Sequence, residues 1–301
     1  MISISKQLKG SLALLAASLI WGLAFSAQST AMKYIQPYTF VFLRSVITTA
    51  VLVPAAPIIE KLSGGRDESD PPLNIYLRRG VPMGLFLVAA TILQQIGIVY
   101  TTPAKSGFVT ALYIVMVPIL GLVVFRRRVG RFIWLGVALS LVGMLLLCVQ
   151  SDFTMNVGDL LTLGSALMFA CQILTIDRYA GRLNAVRLSA VQFATCAVVA
   201  GALTLFKETP TWSGIMACWP SILYVAVFSS AIGYTLQIAG QKRTDPTLAS
   251  LIMCLESVFA ALGGWVLLGQ ALTARELLGC ALMLAASVVA QLPDRRREVS
   301  A

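Results

Sequence analysis

Gln94-x-x-Gly97-x-x-x-Thr101-x-Pro103 returns as Gln237-x-x-Gly240-x-x-x-Thr244-x-Pro246, so the chain carries one segment twice, 143 residues apart. With that offset Leu93 to Leu141 lies on Leu236 to Leu284 without a gap, and the matches include Leu112 with Leu255, Gly121 with Gly264, and Leu135-Gly136 with Leu278-Gly279. A second block, at an offset of 148, pairs Gly10 with Gly158, Leu12 with Leu160, Leu19 with Leu167, and the aromatic-small step Trp21-Gly22 with Phe169-Ala170. The change of offset falls in a polar loop. Residues 1–150 and 151–301 therefore read as two copies of one unit.

Lipid has to be the solvent of this chain. It is 58% hydrophobic and 12% charged, with mean hydropathy +0.84, and no soluble globule of 301 residues has enough interior for that apolar surface. A helix needs about 20 mostly apolar residues to cross a hydrocarbon core of about 30 Å. The sequence parses into ten such segments, near 11–31, 38–59, 80–100, 106–125, 132–150, 158–176, 187–206, 218–238, 247–268 and 274–292. All should be helical, because backbone amides in lipid must bond within their own segment. The expectation is an all-α membrane protein with little outside the bilayer.

The net charge of +10 would suit a nucleic-acid partner, but its distribution assigns it to topology. With the N-terminus inside, eighteen Lys and Arg fall on the inner side and four (Lys33, Lys105, Lys207, Arg275) outside, with Arg44 inside a helix. That bias places both termini in the cytoplasm, and the membrane we expect is the cytoplasmic (inner) one. Arg126-Arg127-Arg128 and Arg295-Arg296-Arg297 read as contacts to lipid headgroups, and loop 61–79, with Gly64-Gly65, Asp67, Glu68 and Asp70, as a solvated connection. Six cysteines lie in or near apolar segments, with no C-x-x-C pair and no histidine, so they read as small packing residues. No metal, cofactor or catalytic set emerges. Lys6 and Lys9 before an apolar run, with Ala24-Phe25-Ser26-Ala27 after it, resemble a signal peptide, but the run continues and is repeated at 158–176, so we expect it to be retained.

Five helices per unit is an odd number, so the second copy must enter the membrane from the opposite side. Inverted repeats let one half open while the other closes around a central site, which is the logic of alternating access. No G-x-x-x-x-G-K-[ST] loop is present, which argues against primary pumping. Scattered acids and the missing histidine argue against an intramembrane enzyme. The alternative class is a non-transporting membrane scaffold or sensor.

Three stretches also carry a family resemblance: Trp21-Gly22-x-x-Phe25, Thr101-Thr102-Pro103-Ala104-Lys105-Ser106-Gly107-Phe108-Val109-Thr110, and Leu255-Glu256-Ser257-Val258-Phe259-Ala260. They resemble the EamA-type drug/metabolite transporters, and the likeness runs almost end to end. It implies ten helices in two inverted five-helix repeats around a central cavity, and a permease or efflux carrier for a small metabolite, more often outward. Two departures stand out: Ser257 where the family often has proline, and Gln270 where it often has an acid.

The candidate substrate-binding residues are Glu256, Tyr113, Arg44, Trp21 and Gln94. Glu256 falls near mid-membrane, where a carboxylate facing lipid is strongly disfavoured, so it should face the bundle interior as a ligand, a proton-coupling group or a polar clasp. At the 143 offset its partner is Tyr113, which puts an acid and a phenol at matching depths. Arg44 lies about seven residues from its helix end, where it snorkels to headgroups, holds an anionic group or pairs with Glu256. Its repeat partner is Gln192. Trp21 is a mid-helix tryptophan away from the interfacial belts, where Trp265 belongs. Gln94, Gln95 and Gln237 add buried amides that need partners. Thr101-x-Pro103 and Thr244-x-Pro246 read as turn chemistry. Lys105 stands alone outside, at the mouth or snorkelling. Pro118 and Gly263-Gly264 are the expected flexing points.

Overall fold

The computed structural model describes residues 4–62, 70–101, 103–126, 129–148, 156–268 and 272–292. Arg127, Arg128, Gln270, Arg295, Arg296, Arg297 and the loop residues Gly64, Gly65, Asp67 and Glu68 lie outside the described residues. Among those described, every regular element is helical: α1 (Ile4–Ala31), α2 (Pro37–Leu62), α3 (Leu73–Tyr100), α4 (Pro103–Ala111), α5 (Tyr113–Phe125), α6 (Arg131–Cys148), α7 (Val157–Tyr179), α8 (Ala185–Lys207), α9 (Trp212–Tyr224), α10 (Tyr234–Gln241), α11 (Pro246–Met253), α12 (Glu256–Leu268) and α13 (Ala274–Val289). A π-helical stretch, Val225–Gly233, joins α9 to α10.

Among the described residues, eight stretches are long and apolar enough to cross a membrane; α4 with α5, α9 through α10, and α11 with α12 each make one of them. The shorter α6 and α13 pack on each other. Large apolar side chains cover the outside, as at Leu205 and Phe206, both 84% exposed, while Ser165, Gln172, Gln192 and Ser250 are fully buried. That inversion is what a lipid solvent selects. The helix ends follow local rules. Asn156 and Thr273 each form a capping box, with Asp159 and Glu276, and Pro246 starts α11 behind the Asp245 cap.

The sequence repeat reappears as reciprocal contacts. A Cβ on Gly97 would stand 2.4 Å from Thr162 Oγ1 and 2.9 Å from the Gly158 carbonyl; one on Gly240 would stand 2.7 Å from Leu14 Cγ and 2.9 Å from the Gly10 carbonyl. Gly158 and Gly10 are repeat partners, as are Thr162 and Leu14. Thus α3 lies on α7, and α10 on α1, through the same residues. Gly136 against the Ala286 carbonyl and Gly279 against the Gly143 carbonyl do likewise for α6 and α13.

A third pair, α2 with α8, is clamped at both ends by an acid at the close of one helix and the start of the other. Glu208 accepts hydrogen bonds from Tyr38 N at 2.9 Å, Thr39 N at 2.6 Å and Thr39 Oγ1 at 2.7 Å. Its repeat partner Glu60 accepts from Arg187 Nη2 at 2.6 Å and Asn184 Nδ2 at 3.0 Å, where Arg187 is the partner of Thr39. Arg187 Nη1 also pairs with Asp70 at 2.9 Å, and Tyr76 donates its hydroxyl hydrogen to Asp70.

Two spans are interrupted at repeat-equivalent places. Leu112 separates α4 from α5, and Cys254-Leu255 separates α11 from α12. Both breaks tighten to i→i−3 bonds between equivalent residues, Leu112 N to Val109 O at 3.2 Å and Leu255 N to Ile252 O at 3.2 Å. The expected flexing points, Pro118 and Gly263-Gly264, lie beyond these breaks, within α5 and α12. The helices run on through Pro118 and Gly263, and Gly263 lets Leu23 approach, a Cβ there standing 2.6 Å from Leu23 Cδ2.

Candidate functional site

The breaks matter because of the residues just beyond them. Tyr113 is the first residue of α5 and Glu256 the first of α12, so both interruptions aim a polar side chain into the interior at the start of a half-helix. There they meet one central cavity of about 50 Å³. Five repeat pairs line it: Trp21 with Phe169, Phe25 with Ile173, Gln94 with Gln237, Thr110 with Met253, and Tyr113 with Glu256. The rest of the wall, Gln28, Arg44, Ser229 and Tyr234, has no such match. The cavity is symmetric in position and asymmetric in chemistry.

All five sequence candidates line this cavity. Trp21 donates from Nε1 to the Ser229 carbonyl at 3.0 Å, inside the π-helical stretch, and its ring lies 4.9 Å from that of Tyr234. Its neighbour Gly22 brings α1 onto the start of α12, where a Cβ would stand 2.6 Å from the Glu256 carbonyl. Gln94 donates to Thr110 Oγ1 at 3.2 Å, bridging α3 and α4. Its partner Gln237 exchanges bonds with Gln172, which also donates to Gln192 at 3.2 Å. Gln95 is fully buried with neither amide atom bonded.

Arg44 does not snorkel. It is 3% exposed and faces the cavity, because the glutamate clamps bury the middle of α2 against α8 and the π-helical stretch. Its guanidinium interacts with the Tyr234 hydroxyl, and its Nε has no acceptor. Glu256, 6% exposed, has no hydrogen-bond partner or ion pair among the described residues. Tyr113 and Tyr234 both lie within electrostatic range of its carboxylate. Lys105 is not alone either: its ammonium sits 2.5 Å from Asp159, which is 1% exposed and also accepts from Thr101 Oγ1 at 2.8 Å. Trp265, 52% exposed, stays on the outer surface.

Tyr234 is the main residue that sequence reasoning missed. It sits one helical turn before Gln237, on the same face, and that spacing was the available signal. The π-helical turn that presents Ser229 has no sequence mark.

Among the described residues, one polar cavity inside the bundle thus holds an acid and a guanidinium that form no ion pair. The chain belongs to the EamA-like transporter family, which matches residues 8–149 and 156–291, and it is a multi-pass membrane transporter. It is 28% identical to an uncharacterized transporter of Archaeoglobus fulgidus over 95% of this chain and 87% of that one. It is 31% identical to the threonine/homoserine exporter RhtA of Salmonella typhimurium over 56% of this chain and 57% of that protein. A protein crystal structure with 19% identity superposes at TM-score 0.77 over 96% of this chain and 98% of that one, a likeness of fold alone.

Proposed function

We propose that this chain is a secondary carrier of the cytoplasmic membrane that moves a small polar metabolite, outward, by alternating access. In this reading ten helices cross the bilayer as two inverted halves, 1–150 and 151–301, with both termini cytoplasmic. The observation that carries it is the cavity wall of five repeat pairs, since a site between two related halves is where exchange of their conformations switches access. The reciprocal glycine contacts support the same symmetry. The cavity, about 50 Å³, is far below the roughly 300–1,000 Å³ of an ordinary ligand pocket, so a solute enters only as the helices part. The surplus of inner positive charge supports the orientation, and the naming of RhtA as an exporter supports the direction.

Glu256 is the coupling residue in this scheme, exchanging a proton against the solute, with Trp21, Arg44, Tyr113 and Gln94 as its partners in binding. The test is uptake and counterflow in liposomes holding this chain alone, across pools of amino acids, nucleobases, sugars and polyamines. Saturable counterflow of one pool is expected, with accumulation under an imposed pH gradient that Glu256→Gln abolishes. Counterflow that survives in Glu256→Gln with pH-driven accumulation intact removes the acid from coupling. No flux from any pool favours the scaffold reading.

A further inference from the structure

Three buried polar side chains gather where the end of α10 meets α1. Gln241, Thr244 and Ser11 are 2%, 4% and 8% exposed, and neither amide atom of Gln241 nor either hydroxyl has a hydrogen-bond partner. Thr244 Oγ1 faces α1, since a Cβ on Gly10, the residue before Ser11, would stand 2.5 Å from it. Gln241 lies one turn beyond Gln237, about 6 Å further along the same face of α10. Gln237 and Tyr234, one turn earlier on that face, line the central cavity. A row of polar side chains thus runs from the cavity wall to the Thr244 end.

The other half makes the same contact without this row. The positions equivalent to Gln241, Thr244 and Ser11 are Ile98, Thr101 and Asp159. Ile98 is apolar and buried, and Thr101 gives its hydroxyl hydrogen to Asp159 at 2.8 Å. A buried polar group without a partner is costly, and here the cost falls on the closed seam alone, because parting α1 from α10 gives water access to all three side chains.

We infer that this seam is the inner limb of the transport path, a hydrated route on which Gln241, Thr244 and Ser11 exchange hydrogen bonds with water and with the polar groups of a passing solute. The route takes its setting and its cytoplasmic orientation from the carrier reading and adds the inner exit of that same site. The three side chains carry no charge, so they ease passage without holding the solute.

Thiol accessibility tests this without any substrate. In a background without the six native cysteines, Gln241→Cys and Ser11→Cys are labelled with an impermeant methanethiosulfonate reagent from each side of sealed vesicles. The control is Ile238→Cys, on the same helix but packed among Tyr76, Met83 and Leu188. Both test positions should react from the cytoplasmic side about tenfold or more faster than the control, in proportion to the open population. Ser11→Cys is nearly isosteric and guards against a variant that misfolds. Gln241→Met keeps the side-chain length and removes both hydrogen-bonding atoms. It should slow labelling of Ser11→Cys by about tenfold without lowering the melting temperature, since it removes an unpaired amide; a packing role for Gln241 would lower it instead. Labelling of Ser11→Cys no faster than the control, labelling from the outer side alone, or a less stable Gln241→Met with labelling unchanged overturns the route. Labelling as expected with no counterflow in liposomes keeps the wet seam and sinks the carrier reading; counterflow without labelling leaves that reading standing and puts the exit elsewhere.

Discussion

Where α3 ends, the Thr101 hydroxyl donates to Asp159 at 2.8 Å and Lys105 closes on the same carboxylate at 2.5 Å; where α10 ends, the equivalent positions hold Ser11 and Leu248. There the buried Thr244 and Ser11 hydroxyls have no partner. The backbone contact beneath is the same at both ends, glycine on glycine with carbonyls in van der Waals reach. One interface thus exists twice, once with an ion-pair latch and once with an apolar leucine and two unbonded hydroxyls at the matching positions. The difference separates two jobs: glycines set where the helices meet, and side chains set what it costs to part them.

If glycines do the first job, filling them should be equally damaging at both ends, and this is the largest effect we expect. Gly97→Val and Gly240→Val should each destabilise by about 3 kcal/mol or more, since the opposing atoms include backbone carbonyls that cannot yield. Gly121→Ala, where an added Cβ meets nothing within 4 Å, should cost nothing and gain up to about 1 kcal/mol from helix propensity. Thermal unfolding in one detergent compares all three. A silent Gly240→Val would mean that the second interface is not held as the first is.

The latch should matter at one end only. Asp159→Ala removes the acceptor that the Lys105 ammonium, the Thr101 hydroxyl and the Asn156 amide share. Losing one partner of a buried pair is strongly destabilising, and because Lys105 is 20% exposed and can reach water we expect about 2 kcal/mol. Ser11→Ala, at the matching position, should change stability by less than about 0.5 kcal/mol. Comparable losses from the two would erase the asymmetry.

Much of this was legible in the sequence, and the reason is periodicity. Repeat spacing identified the pairs, and five polar or aromatic residues out of place in apolar helices gathered at one cavity, because lipid leaves such side chains nowhere else to go. What stayed hidden depends on backbone hydrogen bonding or on contacts between distant elements. The breaks at Leu112 and Cys254-Leu255 involve no proline or glycine, so the sequence points to Pro118 and Gly263 instead. Arg44 lies close enough to a helix end to suggest snorkelling, and only the packing of α2 on α8 turns it inward. Lys105 looks solitary in the sequence because Asp159 is 54 residues away in the chain.

A smaller effect on stability than that of Asp159→Ala should come from making the two ends alike. Lys105→Leu combined with Asp159→Ser gives the Thr101 end the residues of the Thr244 end, and replacing a whole ion pair, unlike breaking one, is often close to neutral, here within about 1 kcal/mol. Its effect on conformation should be larger than its effect on folding. A latch worth about 2 kcal/mol biases opening by about thirtyfold, so the native chain should open at the Thr244 end, and the double variant should lose that bias. A Thr110→Cys reporter in a background without the six native cysteines, labelled by an impermeant thiol reagent from either side of sealed vesicles, reads the ratio directly. Labelling should favour the Thr244 side in the native sequence and become even in the double variant. An unchanged ratio beside unchanged stability would show that the ion pair fixes a helix start and gates nothing.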